Sequence, residues 1–242
     1  MDALIIGSSS DVGLEYLRHL NKDQDKNEHV RVFSHYFTTD EKIREAFPGG
    51  PERELHTFRA DLSDPSETER MIEELKAEGC TPSRILFLPA PPFAYRRVKE
   101  YESGCLKPGI SVGAEAFLLI CRAFLPGMKK TGGNVAVMLT SYVLDELPPK
   151  YMTDYVVAKY ALMGAMKAAA AEYGSEKLHI NGIAPEMMDT KFLNTIDPRI
   201  REMNIAQAPA GRLLVPADLL PVLDELLGEN IKENGVIRRV AL

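Results

Sequence analysis

The residues Ala3-Leu4-Ile5-Ile6-Gly7-Ser8-Ser9-Ser10-Asp11-Val12-Gly13 decide the fold. Four apolar residues form a short buried-strand run. A small polar turn follows, with a glycine at each end. From Asp11 to Leu20, Val12, Leu17 and Leu20 then fall at helical spacing. A strand, a tight turn and a helix in this order point the first backbone N–H groups of the helix beyond the strand's end. That arrangement suits a pyrophosphate. Gly7 serves the tight turn, and Gly13 allows the helix to pack closely on the strand. Asp11 stands where a middle glycine is usual. A carboxylate there favours the helix but would repel a phosphate, so it is expected to cap the helix and turn away.

The same alternation continues outward. Apolar runs at 29–34, 55–60, 84–88, 134–139, 179–184 and 235–240 read as strands. Helical patterns follow at about 39–47, after the cap Ser63-Asp64-Pro65, at 151–173 and at 216–227. The strands are continuously apolar rather than alternating, which fits parallel strands covered on both faces. The expected architecture is α/β: a single-domain Rossmann fold with a doubly wound, seven-stranded parallel sheet over residues 1–242. The longest irregular stretch, about 185–211, reads as a lid loop.

The chain has 242 residues, is 45% hydrophobic and 26% charged, and carries a net charge of −6. That is a globular composition and a poor match to nucleic acid, whose phosphates need clustered cations. Cys80, Cys105 and Cys121 have neither disulfide-framework nor zinc spacing, so no metal is expected. The N-terminus has no basic flank or cleavage site. The most apolar long stretch, 155–171, is broken by Lys159 and Lys167. The expectation is a cytoplasmic protein with no membrane contact.

Tyr155-Val156-Val157-Ala158-Lys159 places a phenol and an ammonium one helical turn apart. A nearby cation favours the ionised phenol, which would make the Tyr a proton donor or acceptor. The spacing recurs at Tyr95/Lys99 and Tyr173/Lys177. Only Tyr155/Lys159 lies early in a long helix after the fifth strand, near the carboxyl ends of the sheet. Ser141 ends that fifth strand, where its hydroxyl could meet a substrate oxygen or simply serve the turn.

Together with Ala60-Asp61-Leu62 and Asn181-Gly182-Ile183-Ala184-Pro185, these pieces resemble the short-chain dehydrogenase/reductase family in order and spacing over nearly the whole chain. Members like the 3-oxoacyl-carrier-protein reductases are most similar in size. The resemblance implies an NAD(P)-dependent oxidoreductase. Tyr155 would pass a proton, Lys159 would lower the Tyr pKa and hold the nicotinamide ribose, and Ser141 would position the carbonyl. Gly7, Ser9, Ser10, Val12 and Gly13 would cradle the dinucleotide. Asp61 and Leu62 would border the adenine. Pro89, Ala90, Pro185, Met188 and Thr190 would surround the nicotinamide end. The family often has an Asn supporting a proton relay, and Ser111 stands at that position. Leu88-Pro89-Ala90-Pro91 replaces Asn-Asn-Ala-Gly, Glu186 replaces a common glycine, and Ser141 lies 14 residues before Tyr155. The Tyr/Lys gap of four argues against the enoyl-reductase branch, which uses a wider gap.

An acidic residue ending the second strand would select NAD by repelling a 2′-phosphate. None occurs before Asp40, and Ser34, His35 and Thr38 could hydrogen-bond a phosphate, so NADP is expected, with NAD possible. Phe93, Tyr95, Tyr151, Met187 and Phe192 would frame an apolar pocket for a small-molecule or carrier-bound ketone, making this a ketoreductase. Lys129 and Lys130 could meet an acidic carrier. The family's habit implies a homodimer or homotetramer. The competing reading is a non-catalytic nucleotide-binding scaffold or partner subunit that kept the fold.

Overall fold

The computed structural model describes residues 1–22, 29–91, 96–144, 147–148, 150–195 and 198–242. Seven parallel strands form one sheet in the order β3-β2-β1-β4-β5-β6-β7. The strands are β1 (Asp2–Ile6), β2 (Val30–Tyr36), β3 (Arg53–Arg59), β4 (Arg84–Phe87), β5 (Gly133–Met138), β6 (Leu178–Pro185) and β7 (Ile237–Val240). The helices are α1 (Asp11–Lys22), α2 (Glu41–Ala46), α3 (Pro65–Ala77), α4 (Lys107–Ile110), α5 (Ala116–Thr131), α6 (Thr153–Tyr173), α7 (Pro198–Gln207) and α8 (Leu220–Leu227). A π-helical turn, Ser111–Glu115, joins α4 to α5.

Successive side chains on a strand point to opposite faces, and β1 shows how this builds two cores. Leu4 and Ile6 pack with Met71 and Leu75 of α3, Phe117 and Phe124 of α5, and Leu162 and Met166 of α6. Ala3 and Ile5 pack with Val12 and Leu17 of α1, Ile43 of α2, and Leu223 and Leu226 of α8. Every residue of β1 is buried, which is why its apolar run is unbroken. The cap of α3 is the one the sequence announces: the Asp64 carboxylate accepts the Ser66 N–H, with Pro65 at the first helical position.

Two expectations change. The stretch 185–211 is not irregular throughout, because it carries a short 3-10 turn, Lys191–Thr195, and then α7. No residue of α7 is buried, so it has no apolar stripe to read. The longest apolar helix is the continuous Lys107–Thr131, which is long and apolar enough to cross a membrane by composition alone. In the fold its Phe117, Ile120, Phe124, Leu125 and Met128 are buried in the core.

The strand order reverses between β1 and β4. In open α/β sheets the crevice at that point, beyond the carboxyl ends of the strands, is where ligands bind.

Candidate active site

At the end of β1, Gly7 adopts φ +82°, a conformation that favours glycine. A Cβ on Gly13 would lie 2.5 Å from the carbonyl oxygen of Ser8, so only glycine lets α1 approach the turn this closely. Ser8 is locked inward, donating from Oγ to the Ile5 carbonyl at 2.8 Å and from N to the His35 carbonyl at 2.9 Å. Ser9 and Ser10 stay exposed at the rim. The cap of α1 is Ser10, whose Oγ accepts the Gly13 N–H at 3.1 Å. This corrects the expectation for Asp11. Because the helix begins at Asp11 itself, the capping position falls one residue earlier. The Asp11 carboxylate turns instead to the loop after β6, accepting the Lys191 N–H at 2.7 Å.

Ser34 and His35 are corrected too. The second strand runs two residues further than the sequence suggests, so both lie inside the sheet and are buried. Ser34 Oγ has no hydrogen-bond partner among the described residues, and neither residue is placed to meet a phosphate. His35 is a brace: Nδ1 accepts the Gly7 N–H at 3.1 Å, and Nε2 donates to the Ala60 carbonyl at 3.0 Å. Burial lowers its pKa to about 4, which keeps the ring neutral and both bonds intact.

The turn opens into a cavity of about 500 Å³. One end is formed by Gly7, Ser9, Ser10, Asp11 and Val12. Leu88, Pro89 and Ala90 after β4 line its middle, and Pro185, Met187, Met188, Thr190 and Phe192 after β6 line the far side. Tyr155 and Lys159 project from α6 into the same space. Thr140, Tyr142, Glu186, Lys191 and Leu193, which the sequence reading did not select for this site, also line it. The backbone N–H groups at the start of α1, the glycine-permitted close approach and the cavity's size fit a dinucleotide.

Lys159 is 1% exposed, and its Nζ donates to the carbonyls of Met138 at 2.7 Å and Pro89 at 3.3 Å. Burial lowers its pKa to about 7. Its Nζ lies 6.0 Å from the centre of the Tyr155 ring. Burial of Tyr155 outweighs everything else and pushes its pKa up, while a hydrogen bond from the Thr140 side chain opposes it. The hydroxyl that meets Tyr155 is therefore that of Thr140. Ser141 is 3% exposed and lines a neighbouring cavity of about 310 Å³ with Arg212 and Arg239. Thr140 keeps an extended backbone, whereas Ser141 starts a 3-10 turn, and the two hydroxyls part there.

Other expected residues also lie elsewhere. The Ser111 hydroxyl donates to the Glu115 carboxylate at 2.7 Å, inside the π-helical turn, and does not line the cavity. Asp61 accepts from the Ser63 N–H at 2.9 Å and the Ser63 hydroxyl at 2.7 Å, and Leu62 packs in the core, so neither borders the cavity. Tyr151 is 53% exposed with φ +68° and does not line the cavity. Phe93 and Tyr95 lie outside the described residues.

A doubly wound parallel sheet with a helix-capped glycine turn facing a buried Tyr and Lys defines a dinucleotide-binding oxidoreductase. The family described as "Enoyl-(Acyl carrier protein) reductase" matches residues 26–227. The mouse (3R)-3-hydroxyacyl-CoA dehydrogenase is 21% identical over 182 residues, 75% of this chain and 70% of that protein. The 3-oxoacyl-[acyl-carrier-protein] reductase FabG of Pseudomonas aeruginosa is 29% identical over 104 residues, 43% of this chain and 42% of that protein. The crystal structure of L-sorbose reductase from Gluconobacter frateurii, complexed with NADPH and L-sorbose, superposes with a TM-score of 0.82 at 18% identity, covering 99% of this chain and 94% of that one. The chain belongs to the short-chain dehydrogenase/reductase family of NAD(P)-dependent oxidoreductases. The description of the matching family runs against excluding the enoyl-reductase branch on the Tyr155/Lys159 spacing alone.

Proposed function

We propose that the protein is an NADP-preferring ketoreductase for apolar or acyl-chain ketones. The observation that carries this reading is the shared cavity. Tyr155, its hydroxyl partner Thr140 and the buried Lys159 face the glycine turn across about 500 Å³. When bound, the dinucleotide supplies or accepts the hydride. The residues of the chain do the rest. Burial keeps Tyr155 a phenol near neutral pH, so in the reducing direction it meets the substrate oxygen with its proton in place. The Thr140 hydroxyl steadies the Tyr oxygen as that proton leaves. Lys159, anchored on the carbonyls of Met138 at the end of β5 and Pro89 just past β4, offers its ammonium to a ribose hydroxyl. Ala90, Tyr142 and Phe192 pack against Tyr155 with Met152 and Val156, and this apolar wall suits a hydrocarbon chain and keeps water out.

NADP is favoured because Asp40, the first carboxylate after β2, is already engaged. Asp40 is engaged by Arg44 at 2.8 Å and Thr57 at 2.9 Å, and the exposed Thr38 lies nearby. A homodimer or homotetramer is proposed with it, supported by the exposed Leu118 of α5 and Tyr160 of α6. Of the two candidate carrier contacts, Lys129 is already held by the Glu172 carbonyl at 3.3 Å, which leaves Lys130.

The test is oxidation of NADPH and NADH with 3-oxoacyl thioesters, apolar ketones, sugars and enoyl thioesters. Turnover of the 3-oxoacyl or apolar ketones that is lost in Tyr155→Phe, while NADPH still binds, is expected. Equal inactivity of both proteins with intact NADPH binding would replace this reading with the scaffold. Turnover confined to enoyl thioesters would place the protein in the other branch.

A further inference from the structure

Asp11 occupies the glycine position of the dinucleotide turn, and its carboxylate reaches across to the opposite wall. Oδ2 accepts the Lys191 N–H at 2.7 Å, and Oδ1 lies 3.8 Å from Lys191 Nζ. Lys42 of α2 stands beside the same ammonium, which holds the Lys42 pKa below its ordinary value. Further along, the loop is attached at its base. Asp189 N–H donates to the Leu214 carbonyl at 2.7 Å, and Arg201 grips both Asp189 oxygens at 2.8 Å. Lys191 itself lies between Thr190 and Phe192, and the Phe192 ring centre is 5.8 Å from that of Tyr155. The bond from Asp11 therefore pins the part of the loop that walls the cavity from its phosphate end to its reacting end.

Asp11 has two opposed effects on an anionic dinucleotide. A carboxylate beside a pyrophosphate repels it, but here two lysines flank the charge. Against that repulsion, a loop held in place before the ligand arrives raises apparent affinity, because affinity scales with the fraction of molecules in the competent conformation. We propose that Asp11 is a positioning residue that latches the 188–193 segment over the cavity before the dinucleotide binds and so sets Phe192 against Tyr155. This rests on reading the cavity as the dinucleotide site.

The experiment compares wild type with Asp11→Ala, which removes the acceptor, and Asp11→Asn, which keeps one for the Lys191 N–H. NADPH titration followed by fluorescence should show about tenfold weaker binding for Asp11→Ala and binding within about threefold of wild type for Asp11→Asn. Trypsin cleavage after Lys191, Arg199 and Arg201 in nucleotide-free protein should speed up about tenfold in Asp11→Ala only. Equal or tighter NADPH binding by Asp11→Ala would mean that repulsion dominates, and the latch is wrong. Unchanged cleavage would also overturn it. If wild type binds neither NADPH nor NADH, the dinucleotide reading fails, and the cleavage rates still decide the latch.

Discussion

Acid is expected to destabilise this protein through His35. Its Nδ1 accepts the Gly7 N–H while Nε2 donates to the Ala60 carbonyl, and only a neutral imidazole can do both. Burial lowers its pKa from 6.5 to about 4. The unfolded chain takes up the proton near the ordinary value, and the folded protein resists until about 4. Between those values the unfolded state binds more protons, so stability falls as the pH falls. The gap amounts to about 3 kcal/mol lost by about pH 4, at no more than about 1.4 kcal/mol per pH unit, with no further loss from this group below that. The loss is specific in place, because a protonated Nδ1 turns its N–H against that of Gly7 and displaces the dinucleotide turn. The assay is urea unfolding followed by circular dichroism at steps from about pH 7 to about pH 4, on wild type and His35→Gln. Carboxylates titrate in both proteins and cancel in the difference. Wild type should lose stability more steeply across the window, and its NADPH affinity should fall in parallel. Parallel pH–stability curves for the two proteins would refute the argument.

Three further outcomes are expected. Thr140→Val should lower kcat about tenfold or more, and Ser141→Ala clearly less, in steady-state turnover of one ketone, because Thr140 hydrogen-bonds Tyr155 and lines its cavity, whereas Ser141 lines the neighbouring one. Tyr155→Phe should lower turnover by about a hundredfold or more while NADPH affinity by titration stays near wild type. Gly13→Ala should cost about 1–3 kcal/mol in urea unfolding, since the added Cβ meets the Ser8 carbonyl oxygen at 2.5 Å.

The loop after β6 and the end of β2 show where reading the chain stops being sufficient. The helix α7 has no buried residue, so no hydrophobic period marks it. His35 and Ser34 looked like phosphate ligands because the apolar run weakens at Ser34. The backbone ladder carries the strand on to Tyr36, pairing His35 with Phe58, and the polar residues are buried with it. Thr140 and Ser141 are adjacent hydroxyls at one strand end. Which of them faces Tyr155 depends on where the extended backbone breaks into a turn, and a string of residue types carries no such angle.

The sequence by itself determined the seven-stranded parallel sheet, the glycine turn after the first strand and the placing of Tyr155 and Lys159 on one helical turn. Those follow from local rules: apolar runs, turn glycines and the 3.6-residue period act over a few residues. Only the tertiary structure decided that His35 is a neutral brace, that Thr140 lines the cavity of Tyr155 while Ser141 lines its neighbour, and that Asp11 ties the turn to a loop 180 residues away. Each of those depends on which strand lies beside which and on how deeply a polar group is buried, and both are set by the packed molecule as a whole.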